Sequence, residues 1–116
     1  MPEPVIDAAT LDNLIATTDP QFVSELIDTF LEDSRQLMAT MRQAVMEDNA
    51  EDFRRAAHSL KSNSNNFGAL NLAALSKDLE LAGKAGQLEG ASDKVEQLAA
   101  EYAQVERALR EWQSQM

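Results

Sequence analysis

No cysteine occurs in the chain, which rules out a disulfide framework and a thiolate metal site. Glycine and proline are sparse, at 4 and 3 residues, and the many Ala, Leu, Glu and Gln residues favour helices over strands. Long apolar runs are absent too, since nothing approaches the ~18 residues of a membrane-spanning helix. The N-terminal MPEPVIDAAT has neither the basic start nor the apolar stretch of a signal peptide. A cytoplasmic protein with no membrane partner is therefore expected. Basic side chains are the next shortage: 10 Lys and Arg face 20 Asp and Glu, for a net charge of -10. Such a surface repels the phosphates of DNA and RNA, so nucleic acid is not an expected partner. Against that background a local basic patch becomes conspicuous. At 116 residues the chain fits one domain, residues 1–116, with too little length for a second lobe holding a nucleotide.

What is present is apolar periodicity broken by short helix punctuation. Asp7 is placed to cap a short helix running to about Thr17. Asp19-Pro20 then supplies an N-cap followed by proline at the first helical position, where a missing N–H costs nothing. From there Val23, Leu26, Ile27, Phe30, Leu31, Leu37, Met38, Met41, Ala44 and Val45 recur at three- and four-residue steps, predicting a long helix that ends near Asp48-Asn49. A third helix is predicted from about Glu51 to Phe67, with Gly68 ending it. The fourth begins near Leu70 and carries Leu72, Leu75, Leu79 and Ala82 before Gly86. The fifth, from about Ser92 to Gln113, repeats Val95, Leu98, Tyr102, Val105, Leu109 and Trp112. Short connections make neighbouring helices antiparallel, so the expected fold is all-α: an antiparallel four-helix bundle with a short additional N-terminal helix. The methionines and Trp112 are expected in its core.

His58 is the single histidine. On a wheel of about 100° per residue with Phe53 at zero, Ala56, Ala57, Leu60, Ser64 and Phe67 fall within about 60° of zero and face the core. His58 then points about 140° away, with Arg54, Lys61 and Asn65 at about 80° to 120° and Ser62 at about 180°. The result is an outward imidazole in a polar strip containing two cations. A neutral imidazole nitrogen is a nucleophile, and neighbouring cations offset charge on a transferring phosphoryl group. Lys61, three residues on, is placed to lean toward the ring. On spacing alone Arg54 and Lys61 read first as solvated helix-face charges.

The run Ala57-His58-Ser59-Leu60-Lys61-Ser62-Asn63-Ser64-Asn65-Asn66-Phe67-Gly68-Ala69 closely resembles the signature of histidine phosphotransfer (HPt) domains. It combines the histidine, leucine two positions on, lysine at three, a small residue at six and Gly-Ala at ten and eleven, continuing into Leu72, Leu75 and Leu79-Glu80. The likeness extends from about Ile6 to Trp112. It implies a phosphoryl carrier with no kinase activity of its own: His58 accepts the group from an aspartyl phosphate on one response-regulator receiver domain and passes it to an aspartate on another. A hybrid sensor kinase is an implied partner. Lys61 matches the family's phosphoryl-contacting lysine, and Glu80 matches a position beside the histidine ring, where a carboxylate would accept the Nδ1–H bond and leave Nε2 as nucleophile. Ser62 departs from the glycine common in the family, at a point where a receiver backbone comes close. Arg54, Asn65, Lys77 and Lys84 join Ser62 as implied docking residues, although Lys77 and Lys84 are also spaced as helix partners of Glu80.

No metal-ligand cluster is evident, so the chain is expected to bind no cofactor, with Mg2+ supplied by the receiver partner. Two alternatives remain open: an HPt domain phosphorylated directly by an ATP-binding partner, and a helical adaptor whose histidine carries no phosphate.

Overall fold

The computed structural model describes residues 5–115, which form five helices and, among the described residues, no strand. Residues 1–4 and Met116, included in the single-domain expectation, lie outside that range. The helices are α1 (Ala8–Thr17), α2 (Pro20–Met46), α3 (Ala50–Asn66), α4 (Leu70–Lys84) and α5 (Ala91–Ser114).

Both predicted N-caps form: the Asp7 carboxylate accepts from Thr10 N–H at 3.3 Å, and that of Asp19 from Phe22 N–H at 2.9 Å. Helix α2 stops two residues before the predicted end. There the backbone turns through Asp48, whose φ of +53° is left-handed, and Asn49 caps α3 by accepting from Asp52 N–H at 3.1 Å. Because Asn49 is the N-cap, α3 begins one residue earlier than predicted, and because Phe67 leaves helical geometry as the C-cap, it also ends one residue earlier. Gly68 terminates α3 with φ of +73°, which closes the turn and lets Ala69 N–H donate to Ser64 O at 2.9 Å.

Helix α2 packs on α3, α3 on α4, α4 on α5 and α5 on α2, which closes a ring of contacts around one core. Phe53, Ile27, Leu31, Met41, Leu60, Leu72, Leu79 and Leu98 are wholly buried in it. Each such side chain contributes on the order of 1.5–3 kcal/mol by leaving water. Across α2 and α5 the pairs run in opposite order, Arg42 with Glu96, Arg35 with Glu106 and Asp28 with Arg110, while Tyr102 O–H donates to Leu31 O at 2.9 Å. Helix α1 lies across one end, where Asp7 N–H donates to Gly68 O at 2.8 Å.

One core expectation needs correction. Met38 and Met41 are buried and Trp112 is half-buried against the core, but Met46, at the last turn of α2, is 81% exposed. The helix ends before any neighbour can cover it. No helix among the described residues is long and apolar enough to cross a membrane.

Candidate functional site

Helix α3 points Phe53, Ala56, Ala57, Leu60 and Ser64 inward, so the stripe that builds the core also turns His58 out. The imidazole is 53% exposed. Opposite it, α4 buries Leu72, Ser76 and Leu79, which carries the next residue, Glu80, to the seam between the two helices. His58 Nδ1 lies 2.5 Å from Glu80 Oε2, and Lys61 Nζ donates to Glu80 Oε1 at 2.7 Å. One carboxylate therefore spans two α3 side chains that are one turn apart.

Electrostatics decide the protonation of this contact. The Lys61 hydrogen bond, followed by the bond from His58, holds the Glu80 carboxyl below its usual range against the opposing effect of burial. An ionised carboxylate only accepts hydrogen bonds, so the hydrogen belongs to His58 Nδ1. In the neutral ring this leaves the Nε2 lone pair free, on the exposed side chain. The arrangement can hold an imidazole in one tautomer and offset positive charge on it after Nε2 forms a bond.

The other predicted residues are placed as follows. Arg54 lies one turn before His58, half-buried, and its guanidinium is engaged by Glu51 at 2.6 and 3.0 Å. Arg55 joins the same carboxylate at 3.2 Å, and Arg54 foremost pulls the Glu51 carboxyl down to about 2. Both cations of the polar strip are thus paired with carboxylates, Arg54 with Glu51 and Lys61 with Glu80. Ser62 and Asn65 are exposed further along α3. Lys77 and Lys84 are exposed on α4 one turn to either side of Glu80, and neither enters an ion pair among the described residues. The helix pairing with Glu80 that their spacing allowed does not form, because His58 and Lys61 occupy that carboxylate. Among the described residues, no group of three or more His, Cys, Asp or Glu is arranged to hold a metal ion.

Gly83 is a residue that sequence reasoning passed over. It is buried in α4, one turn beyond Glu80, against the backbone of Arg54. A glycine inside an otherwise good helix was the only signal for it.

The family model for the Hpt domain matches residues 25–108. The crystal structure of histidine-containing phosphotransfer protein B (HptB) from Pseudomonas aeruginosa PAO1 is similar at a TM-score of 0.93 and 30% identity, over 99% of each chain. No match to a curated protein sequence was found. With the family match extending over most of the chain, from within α2 to within α5 and across both helices that build the His58 site, this protein belongs to the Hpt domain family of histidine phosphotransfer proteins.

Proposed function

We propose that His58 is the phosphoacceptor of a relay, taking a phosphoryl group from the aspartyl phosphate of one receiver domain and delivering it to the aspartate of another. The observation that carries this reading is the exposed imidazole whose Nδ1 is held at 2.5 Å by an ionised Glu80. In the forward step the Nε2 lone pair forms the N–P bond as the P–O bond to aspartate breaks, and the aspartate leaves as a carboxylate. Nδ1 keeps its hydrogen throughout. The ring gains positive charge as the bond forms, and Glu80 offsets it. Onward transfer reverses these changes on the second receiver, which supplies Mg2+ together with the acceptor carboxylate.

Lys61 contacts phosphoryl oxygens in this reading, reaching them from its seat on Glu80. Ser62 and Asn65 on α3, Arg54 beside them, and the uncommitted Lys77 and Lys84 on α4 form the docking margin for receivers. The ring of helix contacts supports an antiparallel four-helix bundle with α1 closing one end, acting in the cytoplasm as a carrier without kinase activity. A hybrid sensor kinase supplies the first receiver.

The test is a transfer profile. The protein is mixed with each receiver domain of the source organism after charging the receiver with acetyl phosphate, and in parallel with candidate histidine kinases and labelled ATP. Rapid loss of label from a few receivers to His58 supports the relay. Label arriving only from an ATP-bound kinase domain selects the kinase-coupled alternative instead.

A further inference from the structure

Three of the four glycines, Gly68, Gly86 and Gly90, have positive φ at turns, whereas Gly83 lies inside α4 without that backbone requirement. Glycine there costs helix stability relative to alanine, so backbone conformation does not explain it. Space does. A Cβ at Gly83 would stand 3.0 Å from the N, Cα and Cβ of Arg54. Two of these are backbone atoms, and no rotamer change withdraws them. A side chain at this position would push the two helices apart by a few tenths of an ångström.

The location gives that spacing a consequence. Helices α3 and α4 run in opposite directions here, so the Arg54–Gly83 contact lies one turn from the His58–Glu80 contact. We propose that Gly83 is a positioning residue for phosphotransfer: its missing side chain sets the α3–α4 spacing at which the Glu80 carboxylate spans both His58 Nδ1 and Lys61 Nζ. The inference rests on the reading of Glu80 as the group that holds the ring. Both of its bonds are short, at 2.5 and 2.7 Å, and both oxygens are in use. Moving α4 outward lengthens both bonds toward the limit of useful geometry, near 3.2 Å. A glutamate can swing to restore one of them, but its rigid carboxylate cannot follow both partners.

The experiment is a double-mutant cycle on the full chain, pairing Gly83→Ala with Glu80→Ala. The donor is the receiver that transfers fastest in the panel above, charged with acetyl phosphate, and the His58 ring is observed by 15N NMR. Gly83→Ala is expected to slow transfer at least threefold with helical content retained, and to shift the ring nitrogens away from a single Nδ1–H tautomer. In the Glu80→Ala background the same substitution should slow transfer no further. Equal slowing in both backgrounds would show a general packing effect and overturn the inference. So would an unchanged tautomer with normal transfer, particularly alongside the rise in melting temperature that helix propensity alone predicts for alanine. If Glu80→Ala by itself leaves transfer unchanged, the reading of Glu80 fails and the inference falls with it; if Glu80→Ala slows transfer while Gly83→Ala does not, the inference alone fails.

Discussion

Replacing Glu80 by glutamine keeps the shape of the side chain and removes its charge, which sets the two partners of the carboxylate against each other. If the amide oxygen faces His58 Nδ1–H, the amide N–H2 is turned toward the Lys61 ammonium, donor against donor. If the amide flips to offer its oxygen to Lys61, its N–H2 faces Nδ1. The ring can then accept only by moving its hydrogen to Nε2, which removes the nucleophilic lone pair. Either orientation gives up one charge-assisted hydrogen bond, worth roughly 1.5–3 kcal/mol. If that full amount is lost in the transition state, Glu80→Gln slows transfer by about 10- to 150-fold. The folded state loses less, because the imidazole is 53% exposed and water replaces part of the interaction; a change within about 1 kcal/mol is expected. Quench-flow transfer from a phosphorylated receiver, with thermal melts alongside, measures both quantities. Transfer within twofold of the parent protein would refute the argument that the Glu80 charge organises the ring.

Lys61→Ala should slow transfer and let the Glu80 carboxyl rise toward its ordinary range, since Lys61 is the largest cause of its depression; NMR titration of the Glu80 side chain reads the second effect. A carboxyl lowered by folding stabilises the protein above the unfolded glutamate pKa, near 4.5, and that contribution disappears as pH falls through the folded value. The stability difference between the parent and Glu80→Gln should accordingly shrink below about pH 4.5, as denaturant melts at several pH values would show. Ser62→Trp should block transfer by keeping the aspartyl phosphate beyond the ~3–3.5 Å reacting distance, while Ser62→Gly retains it; full activity of the tryptophan variant in the receiver assay would place docking on another face. Gly68→Ala combines a φ of +73° with a Cβ only 2.9 Å from Thr10 Cβ and 3.0 Å from Asp7 O. It should cost about 1–3 kcal/mol in denaturant melts and loosen α1, and an unchanged midpoint would count against that packing.

Helices were legible in the sequence wherever one face was continuously apolar, as along Val23–Val45 and Val95–Leu109. The same periodicity turned His58 outward before any neighbour was known, because a helix wheel needs only local geometry. Boundaries slipped by one or two residues where backbone caps decided them, at Asp48, Asn49 and Phe67. The Lys61–Glu80–His58 triangle was beyond the wheel, since it depends on the register of α4 against α3; only the family resemblance pointed to Glu80. Gly83 carries no side chain and hence no pattern, although its close approach to Arg54 helps fix that register. Pairing of Arg54 with Glu51 was available from i, i+3 spacing, but that spacing could not show that the polar strip would have both its cations taken up by carboxylates. Ser34 and Ser64 illustrate a different limit: both are fully buried, and neither hydroxyl has a hydrogen-bond partner among the described residues, a burial that polarity patterns do not anticipate at Ser34.

The central claim is that His58 Nε2 carries the phosphoryl group, and phosphorus NMR of the protein after incubation with a charged receiver tests it most directly. The parent protein should give a single phosphoramidate resonance, stable in alkali and lost in acid, that couples to Nε2 of a 15N-labelled His58 ring. The His58→Gln variant should give none while retaining its helical content and melting temperature. A phosphoryl signal persisting in that variant, or one attached to Nδ1 in the parent protein, would contradict the account.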